Sequence, residues 1–288
     1  MLQVVINGLI RGILLSLVAI GFALAYNTTR VFHIAAAALY VFAAYMMHWA
    51  ATKLGLPILV AGLAAVGLTM ILSLFIELTV YHPLKKRNAS NEVAMIASIG
   101  LMTVIIPLLV MGFGSATKKF GDGMLPSFQV GHIDLTTPQM AQLLIGATAV
   151  ILFLVFISMT SWGMRLRALS TDEALYETLG YSTRRSRVVA FLLSGAYIAL
   201  ASCLSAYDIG INPDMGMDML ISAMVAMVIG GVGRFGTCVA GGLVLGVLQA
   251  VTAYEISDNW KTAVTFIILI LLLFLRPQGL AGIKTRTV

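Results

Sequence analysis

The residues able to do chemistry are few, and most are crowded into one stretch. Between Trp162 and Arg187 stand eight charges, Arg165, Arg167, Asp172, Glu173, Glu177, Arg184, Arg185 and Arg187, out of 30 in the 288-residue chain. Elsewhere the four histidines are scattered, and Cys203 and Cys238 lie in apolar runs without metal-ligand spacing, as packing residues do. No nucleophile is paired with a base and no acid-rich motif recurs, so the pattern excludes a membrane enzyme. Gly231-x-Gly233-x-x-Gly236 spells a dinucleotide fingerprint but lacks its preceding strand and later acid. No Gly-x-x-x-x-Gly-Lys-Ser/Thr occurs, so ATP must be handled by another chain, and neither metal nor cofactor is expected on this one.

What a charged, water-facing segment can do instead is dock. Ser170-Thr171-Asp172-Glu173 reads as a capping box, with Ser170 as N-cap and Glu173 at N3. Asp172 and Glu173 complement the positive end of a helix dipole. Ala168, Leu175 and Leu179 supply an apolar side, and Gly180 a C-terminal stop. The expected element is a short helix over 171–179, followed by a second helix capped by Ser182 or Thr183.

The elements that position it are written in oil. Hydrophobic residues make up 60% of the chain and charged residues 10%, against about 25% charged in a soluble domain. Apolar runs near the ~20 residues needed to cross a bilayer fall at about 4–26, 32–51, 58–80, 93–116, 139–161, 187–207, 218–232, 236–253 and 260–276. Unpaired backbone is not tolerated in lipid, and barrel-like alternation is absent, so the runs should be helices. The expected fold is all-α: a polytopic transmembrane bundle over 1–288, with the loop 162–187 inside it. The run at 218–232 is short enough to be re-entrant, which leaves eight or nine spans. The first run begins without a basic leader and is long enough to remain as an anchor.

Lysine and arginine set the orientation. Thirteen fall on one side (Arg30, Lys85, Lys86, Arg87, the five arginines of the 162–187 loop, Arg234, Arg276, Lys284 and Arg286) and four on the other (Lys53, Lys118, Lys119 and Lys261). That places the charged loop in the cytoplasm and the amino terminus outside. Seven acids, Asp122, Asp134, Asp208, Asp214, Asp218, Glu255 and Asp258, fall on the outer side. The net charge of +6 is explained by this asymmetry and does not indicate nucleic acid. The acceptor-like Asn27-Thr28-Thr29 and Asn88-Ala89-Ser90 face the cytoplasm and are discounted as glycosylation sites.

Charges inside spans cost at least ~2.5–3.5 kcal/mol on insertion scales. Arg11 lies within the first span and Glu77 one turn from a cytoplasmic end. Arg11 should face a cavity or a subunit interface; Glu77 could pair structurally, with Arg11 one conceivable partner. Gly8 and Gly12, like Gly242 and Gly246, have the small-x-x-x-small spacing of packed membrane helices. Gly230, Gly231, Gly233 and Gly236 would permit a tight turn at Arg234 and close helix approach.

At this point the chain resembles the branched-chain amino-acid permeases of bacterial ATP-binding-cassette importers. Ala168 through Gly180, with Glu173-Ala174 and Gly180 at its core, is similar to their cytoplasmic coupling loop, and Gly163 through Ala168 to its Gly-x-x-x-Arg-Ala lead-in. Asn212 through Gly216, Gly230 through Gly236, Gly241 through Gly246 and Arg276 through Gly282 match further motifs in order, and Asn7-Gly8 and Ala23 to Tyr26 fit the first span. One departure stands out: His33-Ile34-Ala35-Ala36-Ala37 replaces an Asn-x-Ala-His-Gly-like stretch. If that stretch touches solute in relatives, the solute here differs from leucine, isoleucine or valine.

The resemblance implies a permease subunit of the bacterial inner membrane, without enzymatic activity. It would pair with a second, homologous permease, two cytoplasmic ATPases and a periplasmic solute-binding protein. Arg167, Ala168, Asp172, Glu173, Ala174, Leu175, Leu179 and Gly180 would form the contact with an ATPase, and Arg11, His33 and Glu77 would be candidates for the solute path. Branched-chain amino acids are the first solute class, urea and short amides the second. A stand-alone ion-coupled transporter would want ionisable residues at midplane and a readable internal repeat; the first are few and the second is not found.

Overall fold

The computed structural model describes residues 1–120, 127–130, 133–231, 233–257 and 260–275. Asp122, Val232, Asp258, the Arg276–Gly282 motif, Lys284 and Arg286 lie outside the described residues. Twelve α-helices follow in order: α1 (Leu2–Thr29), α2 (Ala36–Lys53), α3 (Ile58–Ile76), α4 (His82–Lys86), α5 (Asn91–Phe113), α6 (Thr137–Met159), α7 (Ser161–Thr171), α8 (Glu173–Thr178), α9 (Thr183–Ile209), α10 (Met215–Gly230), α11 (Thr237–Glu255) and α12 (Lys261–Leu275). A π-helical turn, Glu77–Tyr81, joins α3 to α4 without interruption.

The all-α expectation is amended by one antiparallel ribbon between α5 and α6, β1 (Ser127–Val130) with β2 (Ile133–Thr136). It is tied to the start of α1, where Gln3 donates to the Asp134 carbonyl at 2.9 Å and accepts from the Asp134 amide at 3.2 Å.

Each of the nine apolar runs carries a helix, yet among the described residues six helical segments are long and apolar enough to cross a membrane. They are Leu2–Thr29, Ile58–Lys86, Asn91–Phe113, Thr137–Met159, Thr183–Ile209 and Thr237–Glu255. The chain is therefore a multi-pass helical membrane protein whose number of crossings is not fixed by counting runs. The 16 residues of α10 reach only ~24 Å at 1.5 Å per residue, short of a ~30 Å hydrocarbon core. The 18 residues of α2 are less apolar, and most of them are buried in the bundle.

Burial separates a protein core from an apolar rim. In the most apolar window of α1, 83% of residues are buried, against 22%, 17% and 28% in the segments Ile58–Lys86, Asn91–Phe113 and Thr137–Met159. α1 is thus the axis, packed mainly on α11 and α9. The antiparallel α1–α11 seam rests on small residues. A Cβ on Gly246 would lie 2.2 Å from the Gly12 Cα, and one on Gly12 would lie 2.9 Å from the Leu243 Cα. Ser16 closes the same seam by donating to the Val239 carbonyl at 2.9 Å. Because backbone meets backbone there, nothing flexible can yield. We expect Gly246→Val to cost at least ~1–3 kcal/mol by overpacking, while Gly67→Val, with no atom within 4 Å of its Cβ, is tolerated. Unfolding temperatures of the two variants in detergent check this, and equal tolerance would contradict the seam.

The α10–α11 turn separates the remaining glycines by role. Gly230 sits at a close approach, its Cβ position 2.3 Å from the Thr237 carbonyl. Gly231 (φ 103°) and Gly233 (φ 92°) supply the left-handed backbone that reverses the chain. A Cβ on Gly233 would meet no atom within 4 Å, so of the two expected roles, turn and close approach, Gly233 fills the turn. A Cβ on Gly236, the residue before α11, would lie 3.6 Å from the Leu154 side chain.

Candidate functional site

The charged loop folds into two helices rather than one. Thr160 caps α7 by accepting from the Gly163 amide at 3.0 Å, so the first helix starts ten residues before the expected cap. Ser170 lies inside α7, and its hydroxyl donates to the Arg167 carbonyl at 2.8 Å; the expected capping box is not formed. Asp172 is the cap of α8, extended at φ −150° and accepting from the Leu175 amide at 3.0 Å. Gly180 stops the loop at φ 82°, and Ser182 caps α9.

This loop is held rather than loose. Tyr176, 2% exposed, shares a hydrogen bond of 2.7 Å with the buried Ser186 hydroxyl. Its ring stacks on Tyr181 with centroids 5.2 Å apart. The Arg165 guanidinium lies 4.8 Å from the Trp162 ring centroid and 5.4 Å from that of Tyr181, binding the start of α7 to the segment after α8. Thr183 donates to Glu177 at 2.7 Å. Two distant basic side chains complete the frame: Lys85 pairs with Glu173, and Arg30 donates to the Ser170 carbonyl. Arg30, the 85–87 cluster and the loop's own arginines thus lie at one end of the bundle.

Large apolar side chains stay exposed on the loop among charged and polar ones. Met164, Leu175 and Leu179 are 62%, 57% and 65% exposed, and Arg167, Ala168, Asp172, Ala174 and Gly180 are exposed around them. Large side chains held in the open on a rigid frame are what a docking surface presents.

Beneath the loop lies a buried ion pair. Glu77, in the π-turn, and Arg187, one turn into α9, are 2% and 4% exposed. Arg187 Nε lies 2.9 Å from Glu77 Oε1, and Nη2 donates to Oε2 at 3.2 Å. The suggested Glu77–Arg11 pairing is therefore corrected: Glu77 belongs to Arg187. Beside them His33 Nδ1 and the Tyr81 hydroxyl are 2.8 Å apart, and the His33 ring packs edge-on against Tyr81 and Phe191. Burial pushes the His33 imidazole down to about 3, so it is neutral near pH 7. His33 sits with the Tyr81–Arg187 cluster beneath the loop.

Arg11 stands apart, on the wall of a cavity of about 480 Å³ formed by α1, α2, α9, α10, α11 and α12. Asp218, in the first turn of α10, lines the same cavity, together with Ser205, Gln249 and Tyr40. The Tyr40 hydroxyl, on a residue only 1% exposed, has the Ser205 side chain beside it. Lys85, Arg187, Tyr40 and Asp218 were not among the expected site residues. Arg187 and Asp218, each a charge opening an apolar run, and Lys85, in a basic cluster, left a signal in the sequence; Tyr40 left none.

Fold and surfaces define a multi-pass helical membrane protein with a rigid loop at one end and a polar cavity inside. The profile described as "Branched-chain amino acid transport system / permease component" matches residues 4–273, and the chain belongs to that family. It is 29% identical to the high-affinity branched-chain amino acid transport system permease protein LivH of Escherichia coli, over 98% of this chain and 95% of that protein. It is 30% identical to BraD, the corresponding permease protein of Pseudomonas aeruginosa, with the same coverage. A probable LivH of Methanocaldococcus jannaschii is 26% identical over 94% of this chain and 89% of that protein. A chain of PsaBC from Streptococcus pneumoniae, solved in complex with Fab, shares the fold at a TM-score of 0.52 and 16% identity, covering 94% of this chain and 91% of that one.

Proposed function

We propose that this chain is the membrane-spanning permease subunit of an ATP-driven importer for branched-chain or related small amino acids in the bacterial inner membrane. It works beside a second homologous permease, two cytoplasmic ATPases and a periplasmic solute-binding protein. The single observation that carries the reading is the exposure of Met164, Leu175 and Leu179 on a loop braced by Lys85–Glu173 and Tyr176–Ser186. In this reading Arg167, Ala168, Asp172, Glu173, Ala174, Leu175, Leu179 and Gly180 meet an ATPase, and the chain itself hydrolyses nothing. Tyr176 and Glu177 pass the motion into the start of α9 through Ser186 and Thr183. The loop is then the lever of a two-state element biased by ATP on one side and by loaded binding protein on the other. Affinity purification of the tagged chain from its native membrane should bring down an ATP-binding-cassette ATPase in stoichiometric amount. A preparation that transports solute with no ATPase present would overturn the proposal.

A further inference from the structure

The Arg11 cavity has features that the docking reading leaves unused. Arg11 is a partly buried cation in a membrane helix, and among the described residues neither it nor Asp218 makes a hydrogen bond or contact ion pair. Asp218 and Lys261 line the same cavity, near enough for their charges to act on Arg11. Ionisable residues inside a membrane helix are retained where function needs them. Tyr40 and Ser205 border the same space. Leu15, Met215 and Met219 supply apolar lining, the two methionines flanking Asp218 on the same helix. The volume, about 480 Å³, falls within the range of small-molecule sites.

We infer that this cavity is a transit site for a zwitterionic α-amino acid. Its carboxylate is held by Arg11, its ammonium group by Asp218 and its side chain by the methionine wall. A lone arginine would suit any carboxylate and a lone aspartate any amine; the two together beside an apolar wall suit a molecule bearing both charges and a hydrocarbon tail. Tyr40 supplies a further hydrogen bond to the bound solute. The assignment rests on the importer reading above and names its solute class and path residues.

The test uses the complete transporter in nanodiscs with photo-leucine, a diazirine analogue of leucine, and maps the label by peptide mass spectrometry. Label is expected on the segments bearing Tyr40 and Met215–Met219. Excess leucine should suppress it at least tenfold, and leucinol, lacking the carboxylate, or isovalerate, lacking the amine, should not. Arg11→Gln and Asp218→Asn should each reduce labelling and leucine uptake at least tenfold while the ATPases still co-purify, and Tyr40→Phe should reduce both about threefold. Label confined to other segments, or both charge variants labelled at the wild-type level, overturns the site. Uptake by both charge variants at the wild-type rate sinks the cavity and leaves the importer standing. Retained labelling without any ATP-dependent uptake supports the cavity and sinks the importer.

Discussion

Glu77→Leu is expected to destabilise the protein by ~3–5 kcal/mol, because it leaves the buried Arg187 guanidinium without its partner. Arg187 is 4% exposed, and its Nε–Oε1 and Nη2–Oε2 distances to Glu77 are 2.9 and 3.2 Å. Arg187→Leu should cost a similar amount by stranding the carboxylate. The double variant should recover most of the loss, since a buried pair barely offsets its own desolvation and two leucines fill the same volume. Unfolding of the three variants in one detergent reads this as a double-mutant cycle. Single variants costing under ~1 kcal/mol, or a double variant costing the sum of the two, would show that the pair is not the unit described. The pair clamps the π-turn after α3 to the start of α9, where the charged loop re-enters the membrane.

Leu175→Asp combined with Leu179→Asp is expected to weaken ATPase binding at least ~100-fold. Burying each leucine contributes ~1.5–3 kcal/mol, and 1.4 kcal/mol is tenfold in affinity. Both side chains are more than half exposed, so the free permease should fold as the wild type does. Glu173→Arg acts differently: it sets a second cation against Lys85 and loosens the brace under α8. Its effect on docking should be smaller than that of the leucine pair. Co-purification of the ATPase, with the unfolding temperature as a control, separates the cases. An ATPase that stays bound to the double aspartate variant would place the docking surface elsewhere.

Much of this was legible in the sequence, for physical reasons. Long apolar runs have one solution in lipid, so the helices fell where expected, and Gly8, Gly12, Gly242 and Gly246 met as their spacing indicated. The short helix was misplaced because Ser170-x-x-Glu173 satisfies a local capping pattern. In the fold α7 is already running when it reaches Ser170, and Glu173 is claimed by Lys85, 88 residues away. The partner of Glu77 lies 110 residues away on another helix, and no spacing rule connects the two. α2 read as a span because composition cannot distinguish oil from protein interior; six of its seven alanines are buried. The cavity was illegible for the same reason, its walls coming from six helices that meet only in three dimensions.

The central claim is that ATP hydrolysed on a partner moves solute through this chain by way of the 162–187 loop. Its most direct measurement is leucine uptake into proteoliposomes holding this chain, its partner permease, both ATPases and loaded binding protein. The account predicts uptake that requires internal ATP and falls to background with the Leu175→Asp, Leu179→Asp variant. Uptake that persists without ATP, or that the variant leaves unchanged, would contradict it.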